Sequence, residues 1–69
     1  MNIGGTIRKN RKMQNLTQEQ MANRLGVSAP AVNKWENGMS YPDIMLLAPL
    51  ARLLKINIDT LLSFQEELS

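Results

Sequence analysis

The sequence predicts an all-α fold of five short helices, and three observations carry that prediction. Apolar residues recur at spacings of three and four along the chain, the period of one helix face. Residues suited to opening a helix, Thr17, Ser28, Asp43 and Asn57, stand before these stretches, and Gly26 and Gly38 stand after two of them. The one β-like cluster, Ile56-Asn57-Ile58, is too short for a strand. In order, the helices are read over 3–13, 17–25, 28–37, 43–54 and 58–64, with no internal repeat and no linker.

The second and third elements are the most explicit. Thr17 followed by Gln20 is a capping-box pattern, in which each side chain satisfies the other residue's free backbone N–H. Met21, Ala22 and Leu25 then fall on one face, and Gly26 ends the helix after barely two turns. Ser28 opens the next helix, where Val32 and Trp35 sit three apart, and Asn37-Gly38 stops it. Two short helices joined by a tight glycine turn form a helix-turn-helix. The fourth helix starts after Pro42 with Asp43 as its cap and is expected to bury Ile44, Leu47, Leu50, Ala51 and Leu54. Pro49 inside it is expected to kink the axis, since proline lacks an N–H and crowds the preceding turn. Asn57 caps the fifth helix, with Asp59 at its positive end.

At 69 residues the chain is one domain, 1–69, near the lower limit for an unstapled core. Residues 63–69 are either a tail or the start of a further C-terminal region. The absence of cysteine and histidine removes disulfides, zinc-finger chemistry, Ser-His and Cys-His nucleophile systems and most metal sites. No cofactor, metal or small-molecule ligand is expected, and no catalytic constellation can be assembled, so an enzyme is rejected. No apolar run approaches the roughly 20 residues of a membrane span, and the chain does not open as a signal peptide, so a cytoplasmic protein is expected.

The net charge of +2 hides an asymmetry. Residues 1–34 hold six basic side chains against Glu19 alone, a net of +5, and residues 35–69 hold two against five acidic ones, a net of −3. A basic half beside an acidic half suggests that one face meets a polyanion. Taken alone, Arg8, Lys9, Arg11 and Lys12 read as an ordinary solvated helix face; the neighbouring helix-turn-helix tips the reading toward phosphate contact.

These residues resemble the lambda-repressor/Cro-like (XRE-type) helix-turn-helix family of bacterial and phage regulators. Ile3-Gly4, Ile7-Arg8 and Arg11 match its first helix, Leu16-Thr17-Gln18 its second, and Leu25-Gly26-Val27-Ser28 its turn. Trp35-Glu36-Asn37-Gly38 matches the end of the third, Pro42 precedes the fourth, and Leu50-Ala51 through Leu61-Leu62 completes the bundle. Trp35-Glu36-Asn37-Gly38 with Tyr41-Pro42-Asp43 looks like a subgroup common in Gram-positive bacteria and their phages.

The resemblance implies a sequence-specific, double-stranded-DNA-binding transcriptional regulator, expected to be a repressor, with its third helix in the major groove. It implies a phosphate contact from Gln18 at the start of the second helix, and base reading from Ser28, Ala29, Pro30, Asn33 and Lys34. Thr17, Asn37 and Arg8 are assigned to the same DNA face. Ala29, Pro30 and Ala31 bring no hydrogen-bonding side chain, leaving thymine-methyl contacts and the groups of Ser28, Asn33 and Lys34 to discriminate bases. Arg11 and Glu36 match a structural ion pair, and Trp35 is read as core. Asn10 stands where relatives often have leucine, with Met13 or the Lys12 stem expected to cover the gap. Met45, Leu46, Leu53, Phe64 and Leu68 exceed what one small core buries, and Leu53, Ile56, Ile58, Phe64 and Leu68 are expected to form a homodimer surface, complete alone or only on a palindromic operator. A second reading stands beside this one: a protein-interaction or antitoxin-type module with weak DNA binding.

Overall fold

The computed structural model describes residues 3–62, which form helices and no strand. The helices are α1 (Ile3–Met13), α2 (Gln18–Leu25), α3 (Ala29–Glu36), α4 (Leu47–Leu54) and α5 (Ile58–Leu62). A single 3-10 turn, Ile44–Leu46, runs directly into α4. Helix α3 packs against both α1 and α2, while α5 closes against α1 and α4.

Ile7, Met21, Val32, Leu50, Leu54 and Leu61 are fully buried where these helices meet, with Ile3, Ala22, Trp35 and Ala51 around them. Trp35 is therefore core, held by its spacing from Val32. Close approach of α1 to the end of α3 depends on Gly4. A side chain there would collide with the Trp35 carbonyl oxygen and come within 3.0 Å of that of Glu36.

The helix starts follow the side-chain caps. The Thr17 hydroxyl accepts from the Gln20 N–H at 3.0 Å, and the Gln20 side chain accepts from the Thr17 N–H at 2.9 Å. The Ser28 hydroxyl accepts from the Ala31 N–H, and Asn57 accepts from the Thr60 N–H at 2.7 Å. Asp43 accepts from the Met45 N–H at 2.9 Å, so it caps the 3-10 turn and not α4.

Two expectations for this region are corrected. Pro49 is the third residue of α4, in the first turn, where an N–H has no intrahelical partner and none is lost. It does not kink a long helix; the chain changes from 3-10 to α geometry ahead of it. That change rotates Ile44 out of the core, leaving it 78% exposed. Leu47 is half-buried. Near the other end of the chain, Asn10 donates to the Thr6 carbonyl at 2.9 Å on its own helix, and Met13 and Lys12 are both exposed.

Candidate nucleic-acid interface

The interface is built on a pair of charges. Arg11 donates from Nε to Glu36 at 2.7 Å and from Nη2 to its other carboxylate oxygen at 3.1 Å, a two-pronged contact that clamps α1 to the end of α3. A third donor, Nη1, reaches the Leu16 carbonyl at 2.8 Å and fixes the turn into α2. The Glu36 side chain is 2% exposed and that of Arg11 10%, so each charge depends on its partner for compensation. Among the described residues no buried side-chain nitrogen or oxygen is left without a partner.

From Glu36 the hydrogen bonds continue outward. Gln18 donates to the Glu36 carboxylate at 3.1 Å, and its carbonyl oxygen accepts from the Asn33 amide at 3.4 Å. The Asn33 carbonyl oxygen accepts in turn from Asn37 at 2.9 Å. Arg11, Glu36, Gln18, Asn33 and Asn37 thus form one chain from the interior to the exposed face of α3. Gln18 is tied into the protein and keeps one N–H for an outside acceptor.

Gln18, Ala29, Pro30, Asn33 and Lys34 line one shallow groove along the outer side of α3, and Met39 from the following loop completes it. Ser28 is exposed at the helix start; its oxygen serves as the cap, which leaves its hydroxyl proton available to donate. A second groove runs between the end of α1 and the start of α2, lined by Lys12, Thr17, Gln18 and the Glu19 carboxylate at the positive end of α2. Asn37 is reached through Asn33, and Arg8 is exposed on α1, outside both grooves. Lys12 is one of the four cations that the sequence leans toward phosphate contact; Met39 is not among the expected residues, and its only signal is its place after the Gly38 stop.

Of the apolar residues expected at a dimer surface, Leu53 and Ile56 are half-buried and packed against the core, and Ile58 is 40% exposed. Phe64 and Leu68 lie outside the described residues. Tyr41, Ile44 and Met45 are each more than 70% exposed. No described helix is long and apolar enough to cross a membrane.

Comparison with known proteins agrees with this architecture. The Helix-turn-helix family model matches residues 7–61. The chain is 39% identical over 66 residues to the HTH-type transcriptional activator BcrR of Enterococcus faecalis, covering 96% of this chain and 32% of that protein. It is 38% identical over 61 residues to the cryptic phage CTXphi transcriptional repressor RstR of Vibrio cholerae, covering 88% of this chain and 54% of that one. The chain thus spans about a third to a half of these relatives. Among solved structures, the P22 c2 repressor in complex with a synthetic operator superimposes with a TM-score of 0.83 at 30% identity, covering 88% of this chain and 92% of that one. The restriction-modification controller protein C.AhdI of Aeromonas hydrophila gives a TM-score of 0.78 at 27% identity, covering 87% and 91%.

Proposed function

The chain belongs to the helix-turn-helix family, and from that premise we propose that it is the DNA-binding domain of a bacterial or phage transcriptional regulator, acting in the cytoplasm. Helix α3 lies in the major groove of duplex DNA. The observation that carries this reading is the hydrogen-bonded chain through Asn33 to Asn37, which holds a polar reading group in one exposed groove with Ala29, Pro30 and Lys34. Lys12, Thr17 and the remaining N–H of Gln18 take a phosphate at the start of α2, where the helix dipole favours an anion. Lys34 and Arg8 contact the backbone or base edges, and Ser28 donates its hydroxyl proton.

Relatives of near-equal identity are an activator and a repressor, so the sign of regulation follows from where the operator lies and from what else the regulator carries. This domain supplies the address; where its operator overlaps a promoter, it represses. No catalytic step belongs to this reading.

One α3 covers only a few base pairs, and each discriminating contact contributes about 1–3 kcal/mol. We therefore also propose a two-fold dimer on a palindrome whose half-sites lie about one helical turn apart. The exposed Ile58 and the half-buried Leu53 support the expected surface.

Equilibrium binding to duplex DNA across a salt series tests the reading. Three cationic contacts give one bound protomer a slope of log affinity against log salt of about −2.7, a loss of about 40-fold between 50 and 200 mM, and a dimer on its palindrome about twice that slope. Lys34→Ala should flatten the slope by about one unit per protomer. A flat salt response, or no duplex binding at all, would move the assignment to a protein-interaction module.

A further inference from the structure

Four helices of this fold end in the same way. A residue with left-handed backbone, Asn15, Gly26, Gly38 or Lys55 (φ +59°, +74°, +77° and +60°), is followed by an apolar residue. The N–H of that apolar residue returns to a carbonyl five residues back: Leu16 to Arg11 at 3.2 Å, Val27 to Ala22 at 3.0 Å, Met39 to Lys34 at 2.9 Å and Ile56 to Ala51 at 3.0 Å. In this motif the apolar side chain ordinarily rests against the last turn of its own helix. Leu16, Val27 and Ile56 are accordingly half-buried. Met39 is 75% exposed, although its backbone hydrogen bond is the shortest of the four. The motif does not require that exposure, and the backbone holding the residue is well tied down.

The exposed side chain lines one groove of α3 together with Ala29, Pro30, Asn33 and Lys34. We propose that Met39 is a specificity-determining residue that closes, with Ala29 and Pro30, an apolar slot for the C5-methyl group of a thymine in the major groove. The proposal rests on the DNA-binding reading. Among base edges in that groove, thymine alone presents an apolar group. The slot is continuous with Asn33 and Lys34, so a base held by those polar groups brings its neighbour's edge to the slot. An unbranched thioether adapts its shape to such a contact better than a branched side chain. A helix face poor in hydrogen-bonding readers thereby gains discrimination through shape.

The experiment begins with the duplex that the full chain prefers from a random pool. Each thymine is then replaced singly by uracil, which deletes only the methyl group, and affinities are measured for the parent, Met39→Ala and Met39→Gln. One buried methyl corresponds to about fourfold in affinity. We expect one thymine in each half-site where uracil weakens the parent by about fourfold while both variants lose most of that preference; a parent indifferent to uracil at every thymine would overturn the slot. All three proteins should melt alike, since the side chain is exposed, and Met39→Gln keeps its length should Met39→Ala disturb the loop. Variants as sensitive as the parent at every thymine would overturn the role of Met39 while leaving DNA binding intact. A parent that binds no duplex in a salt-dependent way would overturn the underlying reading as well.

Discussion

The two halves of this small bundle share one apolar core, but only one of them adds a network of side-chain hydrogen bonds to it. In α1–α3, side chains from three helices are joined by directional bonds: Arg11 to Glu36, Gln18 to Glu36, Asn33 to Gln18 and Asn37 to Asn33. From the 3-10 turn through α5, the described side-chain hydrogen bonds only open helices, at Asp43 and Asn57, and Leu50, Leu54 and Leu61 hold the rest by burial. Apolar contact is non-directional and tolerates a change of shape. A polar chain fixes both position and orientation, at the risk that one lost partner strands a buried charge. The surface proposed to read DNA is built on the half whose orientation is fixed.

Near-isosteric replacements in each half expose this difference. Glu36→Gln keeps the size of the side chain but leaves the Arg11 charge without compensation. It should cost about 3 kcal/mol, enough to lower Tm by roughly 12–24 °C in a domain of this size. Thermal unfolding followed by circular dichroism reads it directly, and an unchanged Tm would mean that the pair does not clamp α1 to α3. Gly4→Ala comes next, because the new methyl meets the Trp35 carbonyl oxygen, a backbone atom that cannot swing aside. A loss of about 1–3 kcal/mol is expected in urea titration. Leu50→Met, at a fully buried position of the other half, should cost less than about 1.5 kcal/mol. If it proves as damaging as Glu36→Gln, the contrast between the halves fails.

The smallest effect has the opposite sign. Lys55 holds a left-handed backbone at φ +60° where glycine is easier. Lys55→Gly relieves that strain but gains freedom in the unfolded chain, for a net stabilisation of about 0.5 kcal/mol. Differential melting against the parent measures it.

Much of the architecture is legible in the residues themselves. Thr17, Gln20, Ser28 and Asn57 announce helix starts because capping is a local bond between near neighbours, and Gly26 and Gly38 announce stops for an equally local reason. Asn15 and Lys55 close helices in the same conformation without being glycine, so composition did not mark them. The apolar register running on from Asp43 puts Pro49 mid-helix; a switch from 3-10 to α geometry is invisible to a pattern of spacings. The bond from Asn33 to Gln18 joins residues 15 apart on two helices, and only the packing of α2 on α3 brings them together. Gln18, expected as a phosphate ligand, is for that reason also an internal support.

Gln18→Ala tests the account most directly, by comparing affinities for the preferred operator and for random duplex DNA of equal length and salt. A phosphate ligand alone would weaken both duplexes by the same factor, since phosphates carry no sequence information. A side chain that also orients Asn33 must weaken the operator more. The account predicts a fall in the operator-to-random affinity ratio of about 5- to 10-fold, within the value of one discriminating contact. It also predicts that Asn33→Ala lowers the ratio similarly and that the double variant adds little further. Equal losses on both duplexes, with the ratio unchanged, would contradict it.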